Sequence, residues 1–134
     1  MIKFELVKNP DDVIAAGYPK WHPAATIDDQ YYGPLVSYFL MLEYYYIRFK
    51  QGNNIDNWLN FIDRQVYAKD NEQYFGDNVC VFFENDKVKL IDYWDYEKGS
   101  RDYCEITVEA LRNLTIDWKW FVIDWEIKMI KGEL

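Results

Sequence analysis

Val79-Cys80-Val81-Phe82-Phe83-Glu84-Asn85-Asp86-Lys87-Val88-Lys89-Leu90-Ile91 is the stretch that decides the fold class. The β-branched and aromatic run 79–83 reads as a strand. Asn85-Asp86 is a tight-turn signal, and Val88, Leu90 and Ile91 supply the returning strand. Glu97-Lys98-Gly99-Ser100 marks a second turn, and Tyr103-Cys104-Glu105-Ile106 reads as a third strand. The three form an antiparallel meander. The period then becomes helical. Thr107 suits an N-cap, with Glu109 favourably placed in the first turn. Val108, Leu111, Leu114, Trp118, Phe121, Trp125 and Met129 recur at spacings of 3, 3, 4, 3, 4 and 4, so a long amphipathic helix is predicted to end near Lys131-Gly132.

Toward the N-terminus, residues 68–78 are polar, with a turn at Gly76-Asp77-Asn78. Residues 56–67 read as a helix capped by Asp56, with Trp58, Leu59, Phe61, Ile62 and Val66 on its apolar side. Tyr31 to Lys50 is the most apolar segment and reads as one helix started by Gly33-Pro34. Leu35, Phe39, Leu42, Tyr46 and Phe49 make its face, Val36, Leu40 and Ile47 widen it, and Gln51-Gly52-Asn53-Asn54 ends it. Residues 17–30 read as an irregular loop, Asp11-Asp12 as the start of a short helix through Ala16, and Ile2, Phe4 and Leu6 as an alternating strand. With no linker and no repeat, the expectation is one α+β domain over residues 1–134. An antiparallel sheet, which the N-terminal strand is available to join, packs against helices that include the long C-terminal one.

A chain of 134 residues that is 50% hydrophobic can bury a core, which excludes a disordered or low-complexity chain. Its formal net charge is −8, and Lys and Arg form no cluster. Direct nucleic-acid binding and anionic membrane surfaces are therefore disfavoured, while a basic protein partner would be attracted. The apolar stretch 31–50 is no membrane span, because Glu43, Arg48 and Lys50 interrupt it short of the roughly 20 apolar residues required. Cys80 and Cys104 fall on strands that flank the middle one, so their Cα atoms should lie about 10 Å apart, too far for a disulfide. Two thiols and the lone histidine, His22, make a poor metal set. The first eight residues, Met1 to Lys8, carry charges where a secretory segment would be apolar, so the expected compartment is a reducing cytoplasm.

Catalytic signatures are missing. There is no GxSxG, HExxH, phosphate loop or dinucleotide fingerprint, and Trp21-His22-Pro23 has no nucleophile or carboxylate placed by motif. Asp102 and Glu105 disfavour a thiolate at Cys104. The expectation is a protein without catalytic residues, cofactor or metal. Charge is more informative: residues 67–105 hold ten of the 23 acidic groups and five of the 15 basic ones. The densest part is Asp92-Tyr93-Trp94-Asp95-Tyr96-Glu97, continued by Asp102, Tyr103 and Glu105. A hairpin folded at Lys98-Gly99 would set these two segments side by side. Like charges across a strand pair cost up to about 1 kcal/mol, and a surface that keeps them suits a basic partner, with Tyr and Trp as anchors. Asp92, Tyr93, Trp94, Asp95, Tyr96, Glu97, Asp102, Tyr103 and Glu105 are the candidate partner-binding residues.

The hairpin Val79–Tyr93, followed by Cys104-Glu105-Ile106-Thr107-Val108-Glu109-Ala110-Leu111 and then Trp118-Lys119-Trp120-Phe121, resembles the immunity proteins of contact-dependent growth inhibition and related polymorphic-toxin systems. The resemblance covers about 55 residues of the C-terminal half. It implies a stoichiometric inhibitor of a cognate toxin domain, often a basic nuclease. No functional residue is carried over by it, and the nine candidates rest on charge and aromatic clustering. Two other readings stay open. One is a phage-type nucleic-acid mimic that blocks a host nuclease. The other is a small ligand-binding or enzymatic domain with a pocket near His22 and the aromatic helix.

Overall fold

Alternation along 79–91 folds as read. In the computed structural model, which describes residues 2–42, 44–48, 54–100 and 102–134, the chain runs β1 (Ile2–Lys8), α1 (Asp11–Ala15), β2 (Trp21–Ile27), a 3-10 turn at Gln30–Tyr32, α2 (Gly33–Met41), α3 (Asn54–Ala68), β3 (Gln73–Phe75), β4 (Val79–Glu84), β5 (Lys87–Asp92), α4 (Tyr93–Glu97), β6 (Cys104–Thr107) and α5 (Val108–Ile130). The architecture is α+β. One antiparallel sheet has the order β3-β4-β5-β6, and a separate antiparallel pair is β1-β2. Asn85 takes the left-handed φ of 57° at the β4–β5 turn, where Glu84 faces Lys87. Val79, Val81 and Phe83 of β4, Val88 and Leu90 of β5 and Cys104 of β6 join one core with Leu35, Phe39, Ile55, Ile62, Leu111 and Trp118. Cys80, Phe82 and Glu84, opposite Ile91, Lys89 and Lys87, alternate onto the other face.

α5 starts as predicted, with the Thr107 side chain accepting from the Ala110 N–H at 3.0 Å. Its buried seam is Val108, Leu111, Thr115, Trp118, Val122 and Trp125, at spacings of 3, 4, 3, 4 and 3. Leu114, Phe121 and Met129 are half-buried at the edge of that seam. Two polar residues sit within the buried set. Thr115 Oγ1 lies 2.8 Å from the Tyr38 hydroxyl and donates to the Leu111 carbonyl. Burial pushes the Tyr38 phenol well above its ordinary pKa. Glu126 is fully buried, and one carboxylate oxygen accepts from the backbone N–H groups of Tyr46 and Ile47.

That carboxylate accounts for the first correction. Among the described residues, the helix expected over 31–50 covers only Gly33–Met41: Leu42 turns extended, and residues 44–48 are not helical. The N–H groups of 46 and 47 go to Glu126 instead of to carbonyls four residues back. The Asn54 amide donates to the Met41 carbonyl at 2.6 Å, satisfying an acceptor at the end of α2. Tyr44 and Tyr45 pack on Trp125, with ring centroids 5.6 and 5.3 Å apart. Leu40, read as core, is 71% exposed. Phe49 and the stop signal at 51–53 lie outside the described residues.

Other elements also differ from their reading. The loop expected over 17–30 contains β2, whose Trp21–Ile27 pairs residue by residue with β1; Pro23 is accommodated because a two-stranded sheet has only edge strands. The N-terminal strand therefore joins β2 and not the meander. The polar stretch 68–78 contains β3, which adds a fourth strand beside β4. Asp56 lies inside the first turn of α3, and its carboxylate accepts from the Tyr46 hydroxyl at 2.6 Å and from Lys119 at 3.0 Å.

Two predictions follow from this packing. Glu126→Ala leaves two half-buried N–H groups without an acceptor and should lower unfolding free energy by about 1–3 kcal/mol in a urea titration. A variant as stable as the parent would mean that residues 44–48 are held by something else. Cys80 and Cys104 lie on the strands either side of β5, both buried and unbridged. Burial pushes the Cys104 thiol up to about 11 and raises that of Cys80. At pH 8 about one Cys104 in a thousand is then a thiolate. A thiol reagent at pH 8 should modify both only in denaturant, and intact mass should not change with reductant.

Candidate partner-binding surface

Tyr93-Trp94-Asp95-Tyr96-Glu97 forms α4, a single short helix, and not the strand expected there. Its start follows Asp92, whose carboxylate accepts from the Ser37 hydroxyl at 2.6 Å and so does not cap the helix. Its end is a glycine-closed cap. Gly99 adopts a φ of 84°, its N–H bonds the Tyr96 carbonyl at 3.0 Å, and the Ser100 N–H bonds the Asp95 carbonyl at 2.9 Å. The turn signal at 97–100 is therefore real, but it closes a helix instead of joining two strands. Tyr96, three residues after Tyr93, packs down on Phe75 and Phe82 with centroids 5.5 and 5.8 Å away; those two rings are 5.7 Å apart. This three-ring cluster fastens α4 to the outer face of the four-stranded sheet.

The nine residues expected to meet a partner divide into two sets. Several are engaged within the protein. Asp92 is held by Ser37. Tyr96 is packed on the sheet. Glu105 pairs with Lys87 at 3.4 Å, while its N–H donates to the Tyr31 hydroxyl at 3.0 Å. Tyr103, half-exposed, carries the Lys89 ammonium 4.8 Å from its ring centroid. The hydrogen bond to Glu97 and that carboxylate's charge raise the pKa of the Tyr93 phenol, and Tyr93 lies edge-on to Trp94 with centroids 6.0 Å apart. The second set points outward. Trp94 is 71% exposed, and Asp95, Glu97 and Asp102 are exposed as well. Ser100 links the ends of the cluster: its N–H reaches the Asp95 carbonyl, and its hydroxyl accepts from the Asp102 N–H at 3.2 Å.

The hairpin reading is corrected accordingly. β5 and β6 pair only through Lys87–Leu90 with Cys104–Thr107, so 92–97 and 102–103 are not opposite each other across a ladder. The cross-strand repulsion inferred for them does not arise. Two further contributors escaped the sequence reading. Asp77 is exposed and close enough to add to the negative field at Tyr93. Phe75 is 50% exposed beside Tyr96. The aromatic pair Tyr74-Phe75 was the available strand signal for Phe75, hidden by the polar residues before it. Among the described residues, no Lys or Arg lies within ion-pair distance of Asp77, Asp95, Glu97 or Asp102.

A cavity of about 200 Å³ does lie beside His22, lined by Phe39, Leu40, Tyr44, Trp118 and Asn9 among others. The His22 Nδ1 lies 3.1 Å from the Pro23 carbonyl, and among the described residues no carboxylate or thiol lines the cavity. Among the described residues no group of three or more His, Cys, Asp or Glu side chains could hold a metal ion, and no helix is long and apolar enough to cross a membrane. No protein-family model, curated protein or solved structure matches the chain.

The division between engaged and outward residues is measurable. Trp94→Ala should change stability by no more than about 0.5 kcal/mol, as for an ordinary surface site. Tyr96→Ala, which removes the ring packed on Phe75 and Phe82, should cost about 1 kcal/mol or more in the same denaturant titration.

Proposed function

We propose that this protein is a non-enzymatic, cytoplasmic inhibitor of the immunity class, which binds and neutralises a basic bacterial toxin domain through the outward side of α4. The observation that carries this reading is the exposed Trp94 indole on a packed helix that also bears Asp95 and Glu97, with Asp77 near Tyr93 and Asp102 tied through Ser100 to the helix end, four exposed carboxylates with no cationic partner among the described residues. Tryptophan is the residue type that most often anchors an interface, because one side chain removes a large area from water. Carboxylates around it set the orientation of approach and raise the association rate toward a positive surface. A nuclease groove that neutralises phosphates with Lys and Arg offers such a surface. The resemblance of the C-terminal half to immunity proteins supports the same reading.

The test uses the product of the neighbouring toxin gene, purified with and without this protein. Asp95→Lys with Asp102→Lys should lower the association rate about tenfold or more at low salt, and the wild-type rate should fall as salt rises. The melting temperature should stay unchanged or rise slightly. Trp94→Ala should mainly speed dissociation and weaken binding by about 2 kcal/mol or more. A toxin that binds all these variants like the parent would remove α4 from the interface. A neighbouring product that is not bound at all would overturn the immunity assignment.

A further inference from the structure

α5 carries a second apolar seam on the side away from the core. Ile116, Trp120, Ile123, Ile127 and Ile130 recur at spacings of 4, 3, 4 and 3. Trp120 is 61% exposed, Ile130 61% and Ile127 39%, with Ile116 and Ile123 half-buried. Residues at these spacings occupy the two seam positions of a heptad, the pattern with which one helix packs along another. Trp120, Ile127 and Ile130 therefore keep an open apolar face.

We propose that this seam is the interface of a symmetric antiparallel dimer, in which α5 of one copy packs along α5 of a second. Three observations select a second copy in that orientation. First, the seam is self-complementary when reversed. With a two-fold axis between Ile123 and Ile127, Trp120 meets the partner's Ile130, and Ile123 meets the partner's Ile127, so every layer joins the two different heptad positions. Second, only one flank of the seam is free. On the other flank Lys119 is bound to Asp56 at 3.0 Å, and Glu126 is fully buried. A parallel pair would set each free flank against an occupied one, whereas an antiparallel pair sets free flank against free flank and leaves the occupied flanks together on the other side. Third, the free flank has matching charges. It consists of Asp117, Asp124 and Lys131, all exposed. In the reversed register Asp117 faces Lys131 of the second copy, twice by symmetry. Asp124 faces its own image, and its charge is already offset by Lys128 at 3.0 Å within the chain.

The area sets the expected strength. The seam from Ile116 to Lys131 is about 24 Å long. Its side chains expose on the order of 400 Å² per copy, and with the flanking stems the total buried comes to about 1,200 Å², the lower limit for a stable interface. The dimer should therefore dissociate in the micromolar range. The seam lies on α5 and the proposed toxin-binding side on α4, so the two proposals stand separately.

Sedimentation velocity across a dilution series tests the proposal on the full chain without toxin. The expected result is a monomer–dimer equilibrium shifted at least tenfold toward monomer by Trp120→Arg, with an unchanged melting temperature at the low concentration where both are monomeric. Asp117→Lys alone and Lys131→Asp alone should each weaken the dimer, and the double exchange should restore it. A chain that stays monomeric up to about millimolar concentration would overturn the proposal. So would a dimer indifferent to Trp120→Arg, or one that the double exchange fails to rescue.

Discussion

Burial of one face of α5 is the constraint on which the other elements depend. The seam from Val108 to Trp125 gives α2, α3 and both sheets a common surface. Phe4 of β1 meets Trp118 with centroids 5.1 Å apart, the Trp125 indole N–H donates to the Trp21 carbonyl of β2 at 2.9 Å, and Arg112 holds Asp63 of α3 at 2.6 Å. The two polar members of the buried set, Thr115 and Glu126, are tolerated because each has partners. A buried carboxylate is costly unless hydrogen bonds satisfy it; one Glu126 oxygen takes two backbone N–H groups that would otherwise lack acceptors, while Oε2 has no hydrogen-bond partner among the described residues. The same contact bends the chain away from helix after Met41 and lays Tyr44 and Tyr45 over Trp125.

The outer face of the four-stranded sheet shows how the excess negative charge is organised. At one end the carboxylates are matched, Glu84 with Lys89 at 3.3 Å and Glu105 with Lys87 at 3.4 Å. The hydrogen bond and the charge of Glu84 raise the pKa of Lys89 despite some desolvation. At the other end α4 caps the aromatic cluster of Phe75, Phe82 and Tyr96, and its outward carboxylates are unmatched among the described residues. Uncompensated charge adds repulsion within a fold. The proposed partner would supply the counter-charge beside the exposed Trp94 indole. α4 is short, but its geometry is fixed by ring packing below and by the glycine cap after it.

α5 illustrates why a single hydrophobic period hides part of a helix's role. Its apolar residues occupy two opposite seams, so no one face dominates the sequence. A reading that tracks the strongest recurrence stays on the core side, taking Leu114, Phe121 and Met129 from the edge of the buried seam and passing over Thr115 and Val122. The outer seam becomes visible once the fold shows which side faces the core.

By itself the sequence determined the elements whose local signals are self-sufficient. The β4–β5 hairpin follows from a β-branched run and an Asn-Asp turn. The start of α5 follows from Thr107, and its end from Gly132. The wide separation of Cys80 and Cys104 follows from the meander's order. Tertiary structure decided everything in which a distant group competes with a local preference. Residues 44–48 leave the helix because Glu126, 79 and 80 positions away, takes their N–H groups. β2 forms around Pro23 because β1 offers it a partner. Residues 93–97 coil into α4 because Tyr96 gains more by packing on Phe75 and Phe82 than an extended segment would offer it. Of the nine candidate residues, composition located the region. Only the fold separated the outward Trp94, Asp95, Glu97 and Asp102, of which Glu97 is bonded to Tyr93 within α4, from those packed or paired across the chain, because exposure depends on which neighbours arrive from elsewhere in the sequence.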